Sequence, residues 1–394
     1  MGDHLAGLPA QAACATGRGS RGEVTAVRVG LIVNPFAGLG GAVALKGSDG
    51  VVDEALARGA VPQSGARAAE MLTALHPLAS LLNVITGAGA LGEEAAHAAG
   101  LATDVIYHAP MHSTAEDTVH LAQRLNTLRV DLLLFAGGDG TARDVADGVD
   151  DSLPVLGIPA GVKMHSGVFA TTPRAAGLLA LSFLRSKARR VARQEVMDLD
   201  EDAVRAGHVH PMLYGYLSVP EDPRLLQGRK VQAANGDAVA AEAIAASVIE
   251  EMEPGVVYLI GPGSTTAAVK QALGDRPVLL GVDAYVDGKL LLRDATAAQL
   301  EEIVAHRPAR ALITCIGGQG HIFGRGNQQF SGAVVRRLGR AGIRVLATPA
   351  KLQSLSGRPF IVDLRDQLAA TEMSGYVEVV SGYRSRAYYR CEAM

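Results

Sequence analysis

The residues best suited to chemistry in this chain follow the apolar run Leu132-Leu133-Leu134-Phe135 and read Ala136-Gly137-Gly138-Asp139-Gly140-Thr141. Glycines let a backbone approach a phosphate closely and take torsions closed to other residues. Their N–H groups, with the start of a following helix, form a cradle for an anion. Asp139 adds a carboxylate that can bind Mg²⁺ or accept a proton from an attacking hydroxyl. Thr141 can cap the helix or contact phosphate. A tight turn with a capping aspartate would use the same letters, but the strand–loop–helix context points to phosphate.

Three further segments carry similar chemistry. Asn34-Pro35-Phe36-Ala37-Gly38 follows the first apolar run, with Lys46-Gly47 shortly after. This is no Walker A loop, because the Gly-Lys order is reversed. Lys46 is either a phosphate ligand or a solvated lysine. Gly263-Ser264-Thr265 again lies between a strand and a helix and offers hydroxyls and backbone donors, though a capped helix start would look the same. The segment 317–329 interleaves glycines with Gln319, His321, Arg325 and Asn327. Amides read base or sugar edges, and the fork of Arg325 suits phosphate. That reads as a ligand loop.

Smaller candidates complete the set. Lys163 and His165 follow a strand beside the first phosphate loop and are candidate substrate contacts. Glu195, Asp198, Asp200 and Glu201 form an acidic cluster, suited to a ribose hydroxyl or to a solvated strand edge. Lys351 follows a Thr-Pro turn. The 11 histidines show no metal-ligand spacing, so no protein metal site is expected.

The elements that must position these residues alternate. Continuous apolar runs at 27–33, 81–85, 104–107, 132–135 and 155–160 predict buried parallel strands, with helices at about 65–75, 93–99 and 114–128 between them. That pattern predicts a doubly wound parallel sheet, closing near 165. Strands follow at 195–200 and 212–219, then a helix at about 237–252. Alternation resumes with strands at 256–260, 278–282 and 311–315 and helices from 265 and at 296–305. Strands at 344–347, 360–363, 376–380 and 386–390 end the chain. The expected division is a disordered tail (1–24), an N-terminal nucleotide-binding domain (25–165) and a C-terminal substrate-binding domain (166–394) whose last strands can return to the first domain.

Composition narrows the classes. With 394 residues, 48% hydrophobic and 20% charged, the chain can bury a sizeable core. A net charge of −3 and 4% aromatics with no Trp argue against nucleic acid as a partner. No apolar run approaches the ~20 residues that span a bilayer, and no signal pattern opens the chain, so a cytoplasmic protein without a membrane partner is expected. The three cysteines, Cys14, Cys315 and Cys391, are far apart and fit a reducing compartment.

Together, Asn34-Pro35 and Gly137-Gly138-Asp139-Gly140-Thr141 resemble the NAD kinase and diacylglycerol kinase superfamily. Gly263-Ser264-Thr265 resembles the threonine/glycine/serine loop of NAD kinases, although Gly261-Pro262-Gly263-Ser264-Thr265 departs at two positions from the fuller Thr-Pro-Thr-Gly-Ser-Thr. Asn34-Pro35-Phe36-Ala37-Gly38, Leu45-Lys46-Gly47-Ser48-Asp49-Gly50, Gly161-Val162-Lys163-Met164-His165-Ser166, Glu195-Val196-Met197-Asp198, Ile316-Gly317-Gly318-Gln319-Gly320 and Lys351-Leu352 are similar to an ATP-NAD kinase-like, or AcoX, subgroup. The similarity runs from about Arg28 to Arg390.

The resemblance implies an NAD kinase-like α/β fold: an N-terminal doubly wound parallel-sheet domain and a C-terminal mixed α/β domain with antiparallel strands. It implies that ATP, with Mg²⁺ at its phosphates, lies against Asn34, Pro35, Gly38, Lys46, Gly137, Gly138, Gly140 and Thr141. The acceptor would meet Lys163, His165, Asp198, Gly263, Ser264, Thr265, Gln319, Arg325 and Asn327. Asp139 would orient or deprotonate the adenosine ribose 2′-hydroxyl of NAD. Where NAD kinases carry an Asn-Glu/Asp pair, this chain has Met197-Asp198-Leu199-Asp200. The alternatives are a kinase of another small alcohol or lipid and a non-catalytic nucleotide sensor of an acetoin-catabolic pathway. A homo-oligomer is expected.

Overall fold

The structure is a computed structural model and describes residues 26–45, 52–109, 113–161, 164–199, 211–222, 225–226, 235–276 and 279–394. The expected tail, Lys46, Lys163, Asp200 and Glu201 lie outside the described residues, as does the side chain of Asp198.

Five parallel strands form the first sheet: β1 (Val27–Val33), β2 (Leu82–Gly87), β3 (Thr103–Tyr107), β4 (Leu132–Gly137) and β5 (Val155–Pro159). Their order is β3-β2-β1-β4-β5. Every residue of β4 and β5 is buried, as strands covered on both faces must be. One face carries the helices Ser64–Thr73 and Pro173–Arg185, and the other the helices Ala115–Thr127 and Asp139–Gly148. The order reverses between β1 and β4, so a crevice opens outside their carboxyl ends, where open α/β sheets place ligands.

The core of this unit runs past the boundary expected at 165. Phe169, Leu179, Phe183, Val196 and Leu217 belong to the same buried cluster as Leu31 and Phe135. Val196 and Leu217 come from a two-stranded antiparallel ribbon, β6 (Val191–Leu199) with β7 (Pro211–Pro220), which packs on the helix Asp139–Gly148. Within the helix Pro173–Arg185, Thr172 caps the start by accepting from the Ala175 N–H, and Pro173 occupies the first turn.

The second sheet has nine strands: β8 (Val257–Ile260), β9 (Asp283–Val286), β10 (Lys289–Leu292), β11 (Ala309–Thr314), β12 (His321–Phe323), β13 (Ile343–Leu346), β14 (Phe360–Val362), β15 (Gly375–Gly382) and β16 (Ser385–Ala393). Their order is β10-β9-β8-β11-β13-β15-β16-β14-β12. β8, β11, β13 and β15 run parallel, while β9, β10 and the β15/β16 hairpin bring in antiparallel pairs. The terminal strands pair with β13 and β14 inside this sheet and do not join the first one.

Alternation along these strands feeds two cores. Val257, Leu259, Ile313 and Val345 pack on one face with Leu300 and Val334. Tyr258, Ile260, Leu312 and Leu346 pack on the other with Ile244, Val248 and Val269. The strand expected at 278–282 begins instead at Asp283, with residues 277–278 outside the described set. Asp287 and Gly288, with φ of 49° and 73°, form the tight turn that sends β9 back as β10.

Candidate functional site

Three loops meet at the carboxyl edge of the first sheet. The Asn34 N–H donates to the Ala136 carbonyl at 3.0 Å, and Asn34 Nδ2 donates to Thr141 Oγ1 at 3.0 Å. Asn34 Oδ1 accepts from the Phe36 N–H, closing the turn through Pro35. The Gly137 carbonyl accepts from the Ala160 and Gly161 N–H groups, both at 3.0 Å. Gly38 has φ of 74°, and a Cβ there would stand 2.1 Å from the Ala160 carbonyl oxygen. Only glycine permits that approach. Asn34 and Thr141 thus spend their side chains knitting the loops together.

Asp139 opens the helix Asp139–Gly148, where a negative charge suits the helix dipole, and it is 6% exposed. Its carboxylate is clamped by one short segment. Oδ2 accepts from the His165 N–H at 2.7 Å and lies 3.3 Å from His165 Nδ1. Oδ1 accepts from the Ser166 N–H at 3.0 Å and from the Ser166 hydroxyl at 2.6 Å. Those contacts use about the four lone-pair sites a carboxylate has. The Met197 N–H donates to Ser166 Oγ at 2.9 Å, which ties β6 to the same knot. The backbone of Asp198, opposite Met212 in the ribbon, follows directly.

The second sheet closes on this knot. Gln319 Nε2 donates to the Met164 carbonyl at 3.0 Å, one residue before His165. Arg325 donates to the Thr171 carbonyl at 3.2 Å and reaches Gln319 Oε1 at 3.4 Å. Arg67 pairs with Asp363 at 2.9 Å across the junction. Gln319, His321, Arg325 and Asn327 are each 4% exposed or less, and Asn327 Nδ2 donates to the Ile322 carbonyl. Burial pushes the Arg325 guanidinium down to about 9 against the pull of nearby Asp363. The segment 317–329 is a buried junction that contains β12. Its glycine- and amide-rich composition does not by itself mark that burial, which comes from tertiary packing.

The remaining candidates collect at the carboxyl ends of β8, β11 and β13. Gly263 precedes the helix Ser264–Ala272, Ser264 is exposed and Thr265 is buried. Lys351 Nζ donates to Thr314 Oγ1 at 3.1 Å. Ser166, which gives Asp139 both an N–H and a hydroxyl, stands in the sequence only within the Gly161–Ser166 segment that carries the resemblance; Thr314 and Asp363 give no local signal.

Among the described residues no group of three or more His, Cys, Asp or Glu side chains could hold a metal ion. With both oxygens of Asp139 engaged, these residues do not build a cage for Mg²⁺, which nucleotide sites hold largely through substrate phosphates. No helix among the described residues is long and apolar enough to cross a membrane.

A glycine-rich loop at the switch point of a parallel sheet, closed over by a second α/β sheet, suits a nucleotide-dependent kinase. Residues 29–187 match the ATP-NAD kinase N-terminal domain and residues 255–391 match the ATP-NAD kinase C-terminal domain. The chain belongs to the ATP-NAD kinase family. No curated protein matches it.

Proposed function

We propose that the protein transfers the terminal phosphoryl group of ATP to the adenosine ribose 2′-hydroxyl of NAD, giving NADP. The observation that carries this reading is Asp139, held at the mouth of the β1/β4 crevice behind Gly137-Gly138 in a chain of the ATP-NAD kinase family. ATP phosphates would lie along the loop N–H groups and the start of the helix Asp139–Gly148. The acceptor hydroxyl would enter beside His165 and Ser166, displacing the Ser166 hydroxyl or the His165 ring from the carboxylate. Asp139 then orients the hydroxyl and takes up its proton as the phosphoryl group moves. Lys46, Lys163 and Asp198 belong to this proposed site by sequence position.

One observation favours a second reading. The ribbon segment Met197-Asp198 that abuts Ser166 lacks the Asn-Glu/Asp pair of NAD kinases, and its exposed Met212 and Leu213 present an apolar rim. Another small alcohol or a lipid is the acceptor in that case. Purified protein incubated with Mg-ATP and a panel of NAD, NADH and small polyols separates the two. NADP formation supports the first reading. ATP consumption with another acceptor while NAD stays untouched rejects it.

A further inference from the structure

The chain carries no acidic residue from Ile303 through Val362, although arginines recur throughout that stretch. Some of them find carboxylates elsewhere: Arg336 pairs with Asp366, and Arg344 with Glu251. Arg307, Arg310 and Arg337 instead come together in one groove of about 610 Å³. It lies at the amino ends of β8, β11 and β13, where the helices Ala297–His306 and Gly332–Leu338 also end. Gly263 and Thr314 stand at the opposite, carboxyl edge of this sheet.

Contacts within the protein use only part of what these arginines offer. Each guanidinium presents five N–H donors in a planar fork. Arg337 spends Nε on the Val304 carbonyl at 3.2 Å, near the end of the first helix. Arg310 pairs with Glu253 at 2.6 Å, the one carboxylate among the described lining residues. Exposed Arg307 makes no side-chain hydrogen bond or ion pair with a described residue. Three guanidinium charges against one carboxylate leave an excess of two, in a chain whose net charge is −3. Val304 and Leu338 give the groove apolar walls that do not answer this charge. A cleft lined by one sign of charge with low-dielectric walls concentrates counter-ions. The volume is also that of a small-molecule site.

We propose that this groove binds a small polyvalent anion carrying at least two carboxylate or phosphate groups. Guanidinium forks meet either group through paired N–H···O bonds, and two or more negative charges balance the excess. Glu253 competes with the ligand for Arg310. This goes beyond the phosphoryl-transfer reading, because it requires nothing of Asp139.

Site-resolved modification of the full chain by phenylglyoxal, read by peptide mass spectrometry, tests the proposal, with exposed Arg276 as internal reference. Ionic strength is held constant with sodium chloride. Saturating succinate or pyrophosphate slows modification of Arg307 and Arg337 relative to Arg276 by about tenfold. Protection by both assigns polyvalent anions in general, and protection by one alone assigns its anionic group. Arg307→Gln, at an exposed position, raises the concentration that half-protects Arg337 by roughly tenfold. Glu253→Gln lowers it, because the competing carboxylate is gone. Asp139→Asn changes neither, so this proposal and the kinase reading fail separately. Equal modification of Arg307 and Arg337 with and without both anions overturns the proposal. So does equal protection by acetate, which would reduce the groove to a screened patch of charge.

Discussion

Gln319 and Met164 are 155 positions apart in the chain, yet the Gln319 side-chain amide donates to the Met164 carbonyl at 3.0 Å in a buried contact. The next two residues after Met164 supply all four contacts to the Asp139 carboxylate. The second sheet therefore holds, through one side chain, the peptide that fixes the candidate catalytic carboxylate of the first.

Gln319→Leu should loosen that peptide. The change removes one hydrogen bond to the buried Met164 carbonyl, at a cost of about 0.5–1.5 kcal/mol. Hydrogen exchange at the His165 and Ser166 amides should accelerate more than exchange in β4. Unchanged protection of those two amides would show that the junction does not position Asp139.

Gly38→Ala forces a side chain into a left-handed backbone 2.1 Å from the Ala160 carbonyl oxygen. We expect a loss of roughly 2–4 kcal/mol in urea unfolding and weaker ATP binding. Wild-type stability in the variant would mean that the two loops are not in contact.

How much of this was legible beforehand depends on the kind of signal. Leu132-Leu133-Leu134-Phe135 and its glycine loop could be read directly, because a strand buried on both faces leaves an unbroken apolar run. The helix Pro173–Arg185 went unread although Thr172-Pro173 is a capping signal, and so did the β9/β10 turn despite Asp287-Gly288. Burial of Gln319, His321, Arg325 and Asn327 had no local mark at all. It arises from the docking of two sheets, and periodicity within one segment does not encode that.

Stability should fall on acidification through His321. Burial, followed by the charges of Arg325 and Arg67, holds its imidazole well below the usual 6.5. In the unfolded chain the ring titrates near 6.5, so below that pH the unfolded state binds the extra proton. The contribution of neutral His321 is intact above pH 6.5 and is lost as pH falls toward its depressed folded value, at up to about 1.4 kcal/mol per pH unit. Urea unfolding between pH 7.5 and 5.5 should show a shallower slope in His321→Leu; an identical slope would exclude this residue.

Cys315 and Cys391 should be inert. Burial pushes their thiols up to about 11 and about 12. Iodoacetamide at pH 7.5 should modify both in the denatured chain and neither in the native one. Rapid native alkylation of Cys315 would show that the loop after β11 opens in solution.

The central claim is that Asp139 serves phosphoryl transfer. Asp139→Asn keeps the shape of the side chain and removes its charge. Turnover measured with Mg-ATP and the acceptor that wild-type protein uses should fall ~100-fold or more, as for a positioned acid–base group, with the variant still folded. Turnover near the wild-type value would contradict the account.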